Sequence, residues 1–322
     1  MNSSNFFLKK SVAAIFLLPL MSMAQPMWKN ADADFPGLPP SIHVYRTEGT
    51  LSGRPNIAWY VEARLDDRSL EFDTDTSKGR RLTPSGFHDR NRNPSVVVNG
   101  TFFSFTENRN LNVVIKDGIL LSYNIMSIPG KGKDTMLHHK VTRSAIGIDR
   151  HRNADVAWLF TDTSLRYPVA FENSPVTAKD ADPSFLQPRR KNARITGMDK
   201  RWKMQTAIGG GPVLVHDGKI RITNNEERMF TGKAKDDLHP RTAMGYTRDG
   251  RLIILAVEGR RKGIAEGASL TDLAEIFLVL GAKEALNLDG GGSSCLLVMG
   301  KETIRPSDKE GQRAIPGVFL IR

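Results

Sequence analysis

The segment Asn287-Leu288-Asp289-Gly290-Gly291-Gly292-Ser293-Ser294 brings one carboxylate, three glycines and two hydroxyls directly after the apolar run Ala285 to Leu288. Consecutive glycines weaken helices and strands, but they let backbone N–H groups approach an anion closely. Four other segments also run from an apolar stretch into polar or glycine residues. They are Asn99-Gly100-Thr101-Phe102-Phe103, Gly209-Gly210-Gly211-Pro212, His239-Pro240-Arg241-Thr242-Ala243 and Val257-Glu258-Gly259-Arg260. If these strand ends converge, one site holds Asn99, Arg241, Glu258, Asp289 and Ser293. The amides of Gly210, Gly211, Gly291 and Gly292 would join them. A guanidinium and free amides suit a phosphate group, because both donate to its oxygens in paired geometry. Two carboxylates suit hydrolysis at a sugar anomeric carbon, where one attacks or positions water and the other manages protons.

Plainer readings stand beside these. Asp289 could cap a tight turn. Arg143 and Arg241, each entering a strand, could be buried arginines in ion pairs. His138, His139 and His239 have no spacing that supports a metal site, and neither a metal nor a cofactor is expected. Gly209 to Pro212 lacks the lysine of a nucleotide-binding P-loop. No Gly-x-Ser-x-Gly elbow surrounds Ser293. Cys295 is the single cysteine, so an internal disulfide is excluded, and it reads as a small buried hydrophobe.

The elements that must position these residues are mostly strands. Ile57 to Leu65, Leu70 to Phe72, Ser95 to Val98, Leu252 to Val257 and Ala285 to Leu288 read as strands. Val113 to Leu121 reads as a hairpin turning at Asp117-Gly118. Lys78 to Asn93 reads as a loop or short helix, and Tyr167 to Arg194 as a surface excursion. One helix is clear: Leu270, Leu273, Ala274, Phe277 and Leu278 form a single apolar stripe. Ser269 or Thr271 can cap its start, Asp272 and Glu275 suit its positive end, and Gly281 is placed to stop it. The expected fold class is α+β, with a mixed, mainly antiparallel sheet core and a few packed helices.

The chain also repeats itself. Val114-Ile115-Lys116-Asp117-Gly118-Ile119 resembles Leu214-Val215-His216-Asp217-Gly218-Lys219-Ile220, and Arg143-Ser144-Ala145-Ile146-Gly147 resembles Arg241-Thr242-Ala243-Met244-Gly245. Asp117 to Arg143 spans 26 positions and Asp217 to Arg241 spans 24 (143 − 117 and 241 − 217). Two matched features at near-equal spacing point to an internal duplication. Val98-Asn99-Gly100 and Ile208-Gly209-Gly210-Gly211 are expected to open the two halves.

The whole chain has 322 residues, 39% hydrophobic and 25% charged, which is globular composition. Lys9 and Lys10, the apolar run Val12 to Leu20, and the small residues Ser22 and Ala24 read as a cleaved secretory signal over 1–24. That run is too short for the roughly 20 residues of a membrane span, so stable membrane insertion is not expected. Residues 25–54 are expected to be a linker and N-terminal extension, with Ala31 to Pro40 leading into a domain over 55–322. The formal charge is +11, or +9 without Lys9 and Lys10. With export, this favours an anionic sugar phosphate or surface glycan as partner rather than nucleic acid.

Taken together, VNGTFF (98–103), GGGPVLVHDGKI (209–220), HPRTAMGYTRDGRL (239–252), VEGR (257–260) and NLDGGGSS (287–294) resemble the phosphodiester glycosidase family. This is the group related to the mannose-6-phosphate uncovering enzyme, and the resemblance covers about 55–322. It implies hydrolysis of a glycosyl phosphodiester to a sugar and a phosphomonoester, outside the cytoplasm, in the periplasm or beyond. On that reading Arg241 and the amides around Gly210 and Gly291 hold the phosphodiester, and Asp289 is base or nucleophile. Glu258 is the second carboxylate or a sugar-hydroxyl ligand, and Asn99 and Ser293 bind sugar or phosphate oxygens. Arg143 and Arg313 are further candidates. The family usually has Asp at the position of Glu258 and Gly at that of Thr101. A noncatalytic polysaccharide-binding or biogenesis role is the alternative.

Overall fold

Leu252, Ile254 and Ala256 face one apolar cluster, while Ile253, Leu255 and Val257 face another. A strand buried on both faces needs an unbroken apolar run, which is what Leu252 to Val257 provides. This strand, Arg251–Val257, lies inside an eight-stranded sheet. The structure, a computed structural model, describes residues 27–130, 138–171 and 199–322. The signal-like segment 1–24 and most of the 167–194 excursion lie outside the described residues.

Three sheets of eight, seven and five strands turn their inner faces to one core. Val61, Met244 and Leu286 enter it from the first sheet, Ile146, Trp158 and Ile208 from the second, and Val98, Leu296 and Phe319 from the third. Helix α1 (Pro84–Arg90) covers the outer face of the third sheet through Phe87, and helix α2 (Leu270–Val279) covers the first. Ser269 caps α2 in a reciprocal box with Asp272, and Gly281 ends it at φ +79°. Of the expected stripe, Leu278 points outward instead, and Ile276 is buried.

Among the described strands every pairing is antiparallel, and two α-helices accompany them. The fold is therefore sheet-rich, and the α+β expectation with mixed sheets holds only in its mainly antiparallel core. The expected linker is corrected as well. Ala31 and Phe35 are buried, and strand Ile42–Thr47 pairs along its whole length with Ala58–Arg64. Alternation of Ile42 and Val44 into the core makes this stretch part of the first sheet.

The duplication is visible in the register. In the second sheet Ala145 pairs with Gly209; in the first, Ala243 pairs with Asn287. The hairpins turn at Asp117-Gly118 and Asp217-Gly218, all four residues with positive φ, as a two-residue type I′ turn requires. Gly118 N–H donates to Gln205 O and Gly218 N–H to Lys283 O, both at 2.8 Å. Strand Thr206–Gly209 is thus the counterpart of Ala282–Asn287. It is not the counterpart of Val96–Asn99, which pairs in the third sheet.

Candidate active site

The end of strand 282–287 is held from three sides. Leu288 N–H donates to Thr242 O at 2.8 Å, and Asp289 N–H to Gly100 O at 3.0 Å. The Asn99 side chain gives its Nδ2 to Asp289 O at 2.7 Å. Its Oδ1 accepts from Thr242 Oγ1 at 2.7 Å and from Cys295 N–H at 3.0 Å. Asn99 therefore ties the third sheet to the first at the point where Asp289 emerges. Three bonds tie its buried amide into that clamp, so it positions the loop.

Gly290, Gly291 and Gly292 allow side chains to press against the loop. Gly290 N–H donates to Asp289 Oδ1 at 3.0 Å and Gly291 N–H to Pro240 O at 2.8 Å. Gly291 has φ +62°, and a Cβ there would sit 2.9 Å from Arg260 Nη2. A Cβ on Gly292 would collide with the guanidinium of Arg313 and the carboxylate of Asp308. Arg313 donates to both oxygens of Asp308, at 2.8 and 3.0 Å, and its Nη1 reaches Ser293 Oγ at 3.4 Å. Arg260 donates to Ser307 Oγ at 3.2 Å and lies 3.9 Å from Asp308.

Arg241 is buried beside Gly290: a Cβ on that glycine would lie 3.8 Å from Arg241 Cδ. Its Nε donates to Ala268 O at 2.9 Å and its Nη2 to Asp237 O at 3.0 Å, with the guanidinium 5.5 Å over Phe230. Burial pushes its pKa down to about 10, against the nearby charges of Asp237 and Asp272. Burial also pushes the Asp289 carboxyl up to about 6, and the Ser293 hydroxyl, the Gly290 N–H and Arg313 pull against that rise. The result is a carboxyl raised toward neutral pH and partly open to solvent, with Arg313 as the cation acting on it and Arg241 and Arg260 packed against the adjoining glycines.

Asn99, Arg241, Asp289, Gly291, Gly292 and Ser293 thus meet at one sheet end. Glu258 lies at the same sheet end: strands 251–257 and 282–287 both run antiparallel to the strand 241–247 between them, and Gly259 and Gly290 both pack against Pro240. Its carboxylate is paired with Arg261 and accepts Arg305 N–H at 3.0 Å. The Gly210, Gly211 and Gly291 amides, expected to be free for an anion, are not: Gly210 N–H donates to Ser144 O at 2.9 Å, Gly211 N–H to Asn287 O at 2.7 Å and Gly291 N–H to Pro240 O at 2.8 Å. These glycines serve packing, since a Cβ on Gly210 would run into Asn287 O. Arg143 is buried on the second sheet with Nη1 unpartnered among the described residues. His138 lies exposed on strand His138–Lys140. His239 is half-buried, and burial, with Arg241 and Arg260 nearby, holds its pKa down. Two clefts, of about 810 and 960 Å³, lie elsewhere, against Tyr123 and Tyr167 and against Trp202 and His216.

Arg313 was named from the sequence, but two residues escaped it. Asp308, the partner of Arg313, left a readable signal, an acid in the polar stretch just before the last strand. Glu227 had none, since Asn224 to Arg228 looks like a solvated run. It is fully buried and accepts from Ser144 N–H and Oγ, Trp158 Nε1, Val213 N–H and Thr223 Oγ1. A Cβ on Gly211 would touch it at 2.5 Å.

These features gather one partly open carboxyl and the guanidinium groups of Arg241, Arg260 and Arg313 at the loop that ends an antiparallel sheet. The chain belongs to the phosphodiester glycosidase family, which residues 92–322 match. It is similar to the N-acetylglucosamine-1-phosphodiester alpha-N-acetylglucosaminidase of Bos taurus, at 30% identity over 135 residues, covering 37% of this chain and 25% of that protein. The chain thus spans about a quarter of the length of the curated relative it matches. A solved hypothetical protein from Synechocystis shares the fold with a TM-score of 0.60 at 16% identity, covering 92% of this chain and 64% of that one. The zebrafish N-acetylglucosamine-1-phosphodiester alpha-N-acetylglucosaminidase catalytic domain, auto-inhibited by its pro-peptide, gives 0.56 at 20% identity, covering 89% and 85%.

Proposed function

We propose that this chain is an exported hydrolase that cleaves a glycosyl phosphodiester, with a GlcNAc-like sugar, to the free sugar and a phosphomonoester. The observation that carries this reading is the Asp289 carboxyl, with its pKa near 6, at a loop rimmed by Arg241, Arg260 and Arg313. The guanidinium groups neutralise the phosphate, so the phosphomonoester leaves with little need for a strong general acid. Ionised Asp289 draws a proton from a water that attacks the anomeric carbon, or attacks that carbon itself and forms a glycosyl ester that water then hydrolyses to the free sugar. The bond from the anomeric carbon to the ester oxygen breaks, and the electron pair leaves with the phosphate. Glu258, paired with Arg261, holds the wall of the site or a sugar hydroxyl. Family membership supports the reaction class, and the signal-like pattern over 1–24 supports export to the periplasm or beyond. Among the described residues no helix is long and apolar enough to cross a membrane.

The test is sugar release from a GlcNAc-1-phosphate methyl diester by wild type and Asp289→Asn. Turnover by the wild type and a loss of about 10³-fold or more in the variant are expected, with the fold intact by circular dichroism. If the wild type releases nothing from a panel of such diesters yet binds polysaccharide, the hydrolase reading fails and the binding role replaces it.

A further inference from the structure

Phe105 is 59% exposed, the single aromatic among the strongly exposed large apolar side chains of the described residues. An exposed phenylalanine alone needs no explanation. Its neighbours make it one worth explaining. The Arg313 guanidinium lies 5.4 Å from its ring centre, and that same side chain reaches Ser293 of the Asp289 loop. The Arg81 guanidinium lies 5.4 Å from the Phe105 ring and 5.9 Å from the ring of Phe103. Phe103 packs tilted against Phe105 with ring centres 4.6 Å apart, and it is itself buried. Arg81 makes no ion pair among the described residues, whereas Arg313 is paired with Asp308. The ring is thus held against a buried aromatic with two guanidinium groups over it, and of these Arg81 has no ion-pair partner among the described residues.

Resting on the proposed hydrolysis at Asp289, we propose that Phe105 and Arg81 form a subsite for the part of the substrate beyond the scissile phosphate. The ligand class is a glycan whose repeats are joined by phosphodiesters. A pyranose ring lays its C–H face on Phe105, burying apolar area that the free protein leaves in water. Arg81 takes the next phosphate as a charge-assisted, paired hydrogen bond. Arg313 bridges the two places, since its plane meets Phe105 while its Nη1 touches Ser293. The enzyme then prefers a polymer to an isolated diester, because two anchors one repeat apart act on the same chain. Single-stranded nucleic acid also combines aromatic stacking with basic side chains. The glycan is favoured because the platform is continuous with a site directed at a glycosyl bond.

The experiment compares a GlcNAc-1-phosphate methyl diester with a linear trimer of GlcNAc-1-phosphate repeats. The readout is the ratio of kcat/KM on the trimer to that on the methyl diester. Phe105→Ala and Arg81→Gln should each lower this ratio about tenfold, mainly through KM on the trimer. Arg81→Lys should restore part of the loss, because a point charge replaces a paired donor. Calorimetry of the trimer against Asp289→Asn, with and without Phe105→Ala, reads binding without turnover. Loss of trimer binding in the double variant supports the subsite even if no substrate is cleaved, an outcome that would defeat only the hydrolase reading. The subsite is overturned if the ratio stays unchanged in both variants, if wild type does not bind the trimer, or if a thymidine oligonucleotide competes as well as the trimer does.

Discussion

Two strand ends occupy equivalent places in the duplicated fold, and they have come to do different things. At one, Thr206–Gly209 runs into Gly210-Gly211 beside Arg143; at the other, Ala282–Asn287 runs into Asp289-Gly290 beside Arg241. Ser144 and Thr242 stand in the same position of the paired strand. Ser144 donates its hydroxyl to buried Glu227 at 2.9 Å, whereas Thr242 donates to Asn99 at 2.7 Å. At both ends the loop amides reach protein carbonyls; the first end is closed because its carboxylate is buried under five donors. The second end keeps a partly open carboxyl that its surroundings push toward neutrality. Symmetry of backbone is therefore compatible with asymmetry of chemistry. What separates the two ends is which side of the loop the acid comes from and whether donors already surround it.

The sharpest challenge to this contrast is to exchange an acid for its amide at each end. Asp289→Asn should remove turnover, as stated above, without loss of stability. Glu227→Gln should act the other way and lower stability by about 3 kcal/mol, since an amide nitrogen would then face hydrogen-bond donors. Urea unfolding at neutral pH reads both. Equal stability losses in the two variants would erase the distinction between a structural and a functional acid. Next in size is Gly210→Ala, which places a methyl against Asn287 O and should cost about 2 kcal/mol, measured the same way.

The pH dependence tests the open end directly. Asp289 ordinarily titrates at 3.8 and here at about 6, so the folded state binds this proton more tightly than the unfolded chain does. Its contribution to stability is complete below pH 3.8 and is lost as pH rises through about 6. Asp289→Asn carries no charge at any pH. It should match wild type near pH 4 and exceed it by about 2 kcal/mol above pH 7, after allowance for partial exposure. In the wild type kcat/KM should rise with pH through about 6 and then level, because the base or nucleophile must be ionised. A rate that falls across the same range would make Asp289 the acid instead. The last test is Arg143→Met at the closed end. It removes the cation that faces buried Glu227, so it should lower stability in urea unfolding by about 2 kcal/mol and leave kcat unchanged.

Strands, the α2 helix with its Ser269 cap and the paired Asp-Gly hairpins were legible in the sequence because each depends on local periodicity or turn chemistry. The loop 287–294 was legible for the same reason, since three glycines after a carboxylate are a local statement. The repeat was legible too, though its strand pairing was misread: adjacency in the chain suggested Val96–Asn99, and the sheet register chose Ala282–Asn287. Tertiary structure alone decided that the Gly210 and Gly211 amides are committed, that Asn99 is a clamp, and that Glu258 faces Arg261. It also decided that Glu227, in a run of polar residues, lies at the centre of the closed end. The physical reason is that hydrogen-bond partners and burial are set by segments far apart in the chain, and a side chain's own sequence neighbourhood carries no record of which of them will arrive.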